Sequence, residues 1–196
     1  MKRLREEDIN TPEWFNHVWK LENVHRYDVV RLLQFLSFID PEHRILDVGA
    51  GWWGIAQYAT ANNLPGKYTA LDFSEEARRR TLEITPTLDY VIGNALAMPF
   101  ADSTFDRVCC GELIEHMQVP AALVAEMFRV CKPGGSVIIG TLVAECEAAQ
   151  AHGEYPEHLY AFLPEDLKEM ILEHADRSCY WLCPGGQYHF VMGVKP

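Results

Sequence analysis

Residues 45–56, ILDVGAGWWGIA, constrain this chain more tightly than any other stretch. An apolar run ends in Gly49, Gly51 and Gly54 at the spacing G-x-G-x-x-G, and a helix-compatible segment follows. Glycines so spaced let a strand turn sharply into a helix and let the backbone pass close to a nucleoside ligand. A strand-turn-helix unit of this kind needs parallel partners, because the crossover helix carries the chain back to the edge it left. Those partners are legible. Apolar runs recur at 44–48, 68–71, 90–92, 107–110 and 136–142, near-continuous rather than alternating, as strands covered on both faces are. Helical stretches lie between them at 54–62, 74–82 and 119–131, and Ser74 followed by Glu75 and Glu76 suits a capped helix start. The order βαβαβ predicts an α/β fold built on a doubly wound parallel sheet.

The flanks read differently. Residues 11–38 carry two helical patterns, the first opened by Thr11, Pro12 and Glu13 and the second by VVRLLQFLSFI. Beyond the core, 143–163 is polar and irregular, PEDLKEMILEHA is helical, and CYWLCPGGQYHFVMGV reads as two strands around a Pro-Gly-Gly turn. At 196 residues, a single domain is expected over 1–196: N-terminal helices in 1–43, the core in 44–142, a candidate acceptor lid in 143–163, and a helix with an antiparallel hairpin in 164–196.

Charge narrows the partners. Seventeen basic residues against 28 acidic ones give a net charge of -11, a field that repels nucleic acid and anionic membrane surfaces, so a small-molecule partner is favoured. No apolar run approaches the roughly 20 residues of a spanning helix. The first ten residues hold no export signal, and the six cysteines form no C-x-x-C pair, so free thiols in a cytoplasmic protein are expected.

Asp72 ends the second strand at the distance suited to a ribose hydroxyl ligand. A nicotinamide enzyme would seat a diphosphate on the glycine turn, and Asp47, two places before Gly49, would repel it. Asp47 better suits a cofactor with a cationic group and no phosphate. In that light ILDVGAGWWGIA, ALDFS, GNALAMPF, FDRVCCGELIEHM and CKPGGSVII, in this order, resemble the class I S-adenosylmethionine-dependent methyltransferases. The resemblance covers residues 44–142. It implies a Rossmann-like sheet of seven strands, mostly parallel with an antiparallel last strand and helices on both faces, and S-adenosylmethionine as cofactor with S-adenosylhomocysteine as product. It assigns Gly49, Ala50 and Gly51 to the methionine part, Asp72 to the ribose, Asn94 to the adenine with Phe73 and Ala95 lining its slot, and Glu112 to the cofactor pocket. Asp47 would reach the ammonium end. The family's common Asp before Ala95 is here Asn94, and Trp52 and Trp53 replace small residues. Trp52 is expected on the cofactor side, and Trp53 between helix and sheet.

GELIEHM follows the fourth strand at the ligand-binding edge. As one helical turn it would set Glu112, Glu115 and His116 on a shared face. His116 is then a structural imidazole, or a general base that takes the acceptor's proton. E-x-x-E-H also resembles the magnesium-binding segment of ubiquinone-pathway catechol O-methyltransferases, which implies a divalent metal on those residues, although magnesium prefers oxygen to imidazole. The expectation adopted is His116 as catalytic base with no metal. His152 or His158 could supply a further ligand or the base, and Tyr155 and Tyr160 share their segment. The reading is methyl transfer to a small molecule. Its rivals are a non-catalytic cofactor-binding subunit and a nicotinamide-dependent reductase, the latter lacking a Y-x-x-x-K pair.

Overall fold

The computed structural model describes residues 2–3, 10–21, 29–37, 39–144 and 158–196. Helix α1 (Pro12–Leu21) begins where its cap predicts: Thr11 Oγ1 accepts the Trp14 amide at 3.2 Å, and Pro12 takes the first position, where no amide hydrogen is needed. Helix α2 is Val29–Phe35. The core then alternates as β1 (Arg44–Val48), α3 (Ile55–Ala61), β2 (Lys67–Asp72), α4 (Glu75–Ile84), β3 (Asp89–Ile92), β4 (Phe105–Gly111), α5 (Pro120–Val130) and β5 (Cys131–Leu142). Ser74 caps α4 as expected, its side chain accepting the Ala77 amide at 3.1 Å. Helix α6 (Pro164–Leu172) and strands β6 (Arg177–Leu182) and β7 (Tyr188–Val194) complete the chain.

The seven strands lie in the order β3-β2-β1-β4-β5-β7-β6. Strand β7 is antiparallel to both its neighbours, because residues 183–187 return the chain too tightly for a crossover, and the other pairs are parallel. Period-two alternation sends the two faces of each strand to different layers. Leu46, Val48, Val108 and Cys110 join α5 and α6 through Leu123, Met127, Leu167 and Ile171, whereas Ile45, Cys109 and Ile138 meet α2 and α3 through Leu32, Phe35, Ile55 and Ala59. Burial of each such aliphatic side chain contributes about 1.5–3 kcal/mol, which explains why the core strands read as continuous apolar runs.

Two features depart from expectation. Strand β5 starts at Cys131 rather than at 136, since Cys131 pairs with Phe105 and a register shift follows before Arg107 meets Ser136. Lys2 and Arg3 pair antiparallel with Ala161 and Tyr160, which ties the N-terminal chain to the segment after β5. The sheet is wound in opposite senses from β1 and from β4. The crevice outside their carboxyl ends is therefore where a ligand belongs.

Candidate functional site

That crevice holds a cavity of about 430 Å³, mostly apolar in its lining. Its floor is the glycine turn. Gly49 and Gly51 have φ of 71° and 54°, left-handed values that a side chain would strain. The Gly49 and Ala50 amides donate to the Leu71 carbonyl at 2.8 and 3.1 Å, folding the turn over the end of β2. A Cβ on Gly49 would lie 2.7 Å from Leu113 Cδ2, so only glycine leaves the approach to the cavity open.

Asp72 joins the two halves of this floor. Its Oδ2 accepts the Gly51 amide at 2.9 Å and its Oδ1 the Ser74 amide at 2.8 Å, and burial raises its pKa against those hydrogen bonds. Gly49, Asp72, Phe73, Asn94, Ala95, Glu112 and His116 all line the cavity, so seven of the expected site residues meet there. The Asn94 side-chain Oδ1 accepts the Leu96 amide at 2.8 Å, a local turn that holds its loop at the rim.

Four of the expected cofactor-binding residues stand off the wall of this cavity. Asp47 does not front the cavity: strand parity turns it to the α3 face, where its buried Oδ2 accepts the Ala56 amide at 2.9 Å. Gly54, at the α3 N-cap, has no side chain to cap with, so Asp47 serves that helix end instead. Burial lifts the Asp47 carboxyl to about 7, with the Ala56 and Ile55 amides opposing and Asp72 adding to the rise. Ala50 packs into the α3-side core, and Gly51, though it anchors Asp72, is not itself on the cavity wall. Trp52 turns away as well. Its ring lies 4.1 Å from the Arg80 guanidinium and its carbonyl accepts Thr81 Oγ1 at 3.1 Å, so it packs the glycine turn against α4. Trp53, expected between helix and sheet, is half-buried beside it with ring centroids 6.3 Å apart.

GELIEHM differs from the expected helical turn. Only Ile114–His116 forms a turn, and it is 3₁₀, so Glu112, Glu115 and His116 do not share an α-helical face. Glu112 stands before it at φ 55° and is half-buried, with Oε2 3.2 Å from Arg31 Nη1. Oε1 of Glu112 is buried without a hydrogen-bond partner. Burial, then Glu115, raises the Glu112 carboxyl to about 8 against the pull of Arg31. Glu115 is 2% exposed and lies behind the cavity wall, while His116 is on it. The His116 carbonyl accepts Asn10 Nδ2 at 2.8 Å, and its ring packs edge-on to Phe15 at 5.7 Å and against His158 at 4.9 Å. His152 and Tyr155, and all of 145–157 in the candidate lid, lie outside the described residues. Tyr160 donates to the Gln118 carbonyl at 3.2 Å.

The N-terminal helical region, where acceptor specificity is expected, and Arg31 complete the site. Asn10, Thr11, Pro12 and Phe15 form a wall over the cavity, held there because Asn16 Oδ1 accepts Ser74 Oγ at 2.7 Å and the Glu76 amide at 3.0 Å. Arg31, stacked on Tyr188 at 4.8 Å, is the counter-charge of Glu112. Its one signal was a lone charge in the apolar stripe VVRLLQF.

Residues 46–139 match the family described as a methyltransferase domain. The demethylmenaquinone methyltransferase of Renibacterium salmoninarum is 37% identical over 100 residues, which cover 50% of this chain and 41% of that protein. The ubiquinone biosynthesis O-methyltransferase of Xanthomonas axonopodis pv. citri is 32% identical over 136 residues, covering 66% of this chain and 56% of its own length. The chain thus spans about two-fifths to just over half the length of these relatives. A solved SAM-dependent methyltransferase of Thermotoga maritima superposes with a TM-score of 0.73 over 94% of this chain and 98% of that one, at 18% identity, a likeness of fold.

Proposed function

We propose that the chain, whose residues 46–139 match the methyltransferase-domain family, is a class I S-adenosylmethionine-dependent methyltransferase acting on a small-molecule acceptor. The observation that carries this reading is Asp72, a strand-end carboxylate that anchors the glycine turn and fronts a cavity of about 430 Å³, within the range of small-ligand sites. The residues fit the cofactor. Asp72 would take the ribose hydroxyls, and Phe73, Asn94 and Ala95 the adenine, while Gly49 leaves room for the methionine part. Glu112 Oε1, buried without a hydrogen-bond partner, suits an ammonium, and Arg31 beside it suits a carboxylate, so the pair matches a zwitterionic amino-acid end.

When bound, the cofactor supplies a methyl group on a sulfonium, a leaving group that asks for no covalent help. The protein's work is then alignment and exclusion of water. Phe15, Leu113 and Met117 give the cavity apolar walls for both. His116, on the cavity wall, is the group available to hold an acceptor proton where the acceptor does not shed it unaided. Quinone-pathway relatives favour a hydroxylated or quinol-like acceptor. The net negative charge supports a small, uncharged or cationic acceptor over a nucleic acid.

Isothermal titration with S-adenosylhomocysteine should give one site per chain, and a methyl-labelled cofactor should label members of an acceptor pool of phenols and quinols. Binding without labelling of any acceptor class would favour the non-catalytic subunit, and binding of reduced nicotinamide in its place would sink the reading.

A further inference from the structure

Residues 93–104 join β3 to β4, and of these Asn94, Ala95 and Leu96 line the cavity. We propose that Arg129 and Glu126 of α5, neither of which lines it, are positioning residues that hold this loop and so set the site's preference for adenine over other bases. The proposal deepens the reading of the cavity as an S-adenosylmethionine site and rests on it.

Two pins hold the span that meets the cavity. At its start the Gly93 amide donates to the Asp72 carbonyl at 2.9 Å, which ties the loop to the end of β2. Between the pins the chain closes on itself: Asn94 Oδ1 accepts the Leu96 amide, and the Asn94 carbonyl accepts the Ala97 amide at 3.1 Å. The second pin follows at once and comes from α5. Glu126 Oε1 accepts the Met98 amide at 2.7 Å, while Arg129 Nη2 donates to the Met98 carbonyl at 3.1 Å. Arg129 Nη1 reaches the Phe100 carbonyl at 2.9 Å, and the Ser103 amide returns to the Arg129 carbonyl at 3.0 Å. The two side chains also lock each other, with Arg129 Nε on Glu126 Oε2 at 2.7 Å and Nη2 on Oε1 at 2.8 Å. Such a fork-to-carboxylate pair fixes orientation as well as distance.

The local turn fixes residues 94–97 relative to one another, but their distance from the far end of the base depends on the second pin. A hydrogen-bonding edge is read only when its partners are held within about 0.5 Å. Releasing Met98 and Phe100 therefore blurs the base contact. The other ends of the cofactor site stand on other elements, Asp72 on β2, Glu112 after β4 and Arg31 on α2, so their contacts survive. Not every arm of the clamp matters equally. Arg129 Nη1 also meets Asp102 Oδ1 at 2.6 Å, but the Asp102 side chain is 76% exposed, and an ion pair so open to water contributes little. The arms that count are those aimed at backbone carbonyls. A lysine cannot replace them, because its ammonium is a point on a flexible stem and lacks the planar fork that serves two carbonyls and a carboxylate together.

The test compares S-adenosylhomocysteine with S-inosylhomocysteine, which carries an oxygen in place of the adenine amino group and keeps the ribose and amino-acid end. Titration calorimetry on the full chain should show the adenine compound favoured about tenfold or more, the effect of one mismatched hydrogen-bonding edge. Arg129→Met should cut that preference to about threefold or less, with the inosine compound bound as by the parent. Arg129→Lys should not restore it, and Asp102→Asn should leave both affinities unchanged. In an Asn94→Ala background, where the base contact is already lost, adding Arg129→Met should weaken S-adenosylhomocysteine by less than about threefold, whereas independent effects multiply. Should Arg129→Met not fold, Glu126→Ala frees the Met98 amide and one side of the guanidinium and should lose the preference in its place. A folded clamp variant that unfolds at lower urea but keeps the parental preference has lost stability alone, and that result overturns the proposal, as does multiplication in the double variant. Parental binding of both compounds with no base preference refutes the loop's role and leaves the cofactor reading intact, while failure of the parent to bind either compound refutes that reading itself.

Discussion

Replacing Asp72 separates two things that its carboxylate does. Its two oxygens accept the amides of Gly51 and Ser74 at 2.9 and 2.8 Å, so it clamps the glycine turn to the start of α4 while fronting the cavity. Asp72→Ala leaves both amides without an acceptor, at about 1–3 kcal/mol each when buried, hence about 2–6 kcal/mol together. The net loss is smaller, because burial already holds the Asp72 carboxyl above its usual range and removing the charge relieves that penalty. Against a domain stability of about 5–15 kcal/mol, the alanine variant should unfold at clearly lower urea. Asp72→Asn keeps one oxygen and drops the charge, so gain and loss nearly cancel and its urea midpoint should stay close to the parent's. Binding should respond differently. Both variants lose the charged acceptor for the ribose, a loss of about 1.5–3 kcal/mol, or roughly ten- to a hundredfold in affinity for S-adenosylhomocysteine. Fluorescence-monitored urea unfolding and titration calorimetry on both variants decide the matter. Parental affinity in a folded Asp72→Asn protein would falsify the ribose role, and a parental urea midpoint in Asp72→Ala would refute the clamp.

Three further outcomes follow from the same geometry. Gly49→Ala forces φ 71° on a side chain and sets its Cβ 2.7 Å from Leu113 Cδ2, so it should cost about 2 kcal/mol or more in urea unfolding and weaken S-adenosylhomocysteine; unchanged values would mean that the turn is free to shift. Arg31→Met should push Glu112 above its present value of about 8 and weaken S-adenosylhomocysteine about tenfold or more at pH 7, and calorimetry that finds the parental affinity would remove the pair from the site. His189 is fully buried with neither ring nitrogen hydrogen-bonded, and burial lowers its pKa to about 4 from 6.5. The folded chain therefore binds fewer protons than the unfolded one between those values, so this contribution is complete above pH 6.5 and is lost as pH falls towards 4, about 2 kcal/mol of it by pH 5. His189→Leu should abolish that part of the loss when urea midpoints at pH 7 and pH 5 are compared with the parent's. Asp47 and Glu112, whose folded values are raised, run in the opposite direction over the same window in both proteins and cancel in the comparison.

Short-range order accounts for the parts of this protein that are legible in its sequence. Gly49 and Gly51 at left-handed φ, the Ser74 cap, the apolar runs of β1, β2 and β4 and the strand-end position of Asp72 all follow from steric rules that act within a few residues. They suffice to place a nucleoside cavity at the carboxyl edge of a doubly wound sheet. Where side chains go once they leave the backbone depends instead on packing between distant segments. Asp47 and Asp72 both lie at strand ends, yet one serves the bare N-terminus of α3 and the other faces the cavity, a choice set by what packs against each. Trp52 went to Arg80 and not to the cavity because α4 offers a cation and a hydroxyl at the right distance. Arg31 finds Glu112, and His158 finds Glu115 and His116, across separations that no local period encodes. Backbone conformation is written in neighbouring residues, whereas the partner of a buried charge is chosen by the packing of segments remote in sequence, and that choice exists only after the fold does.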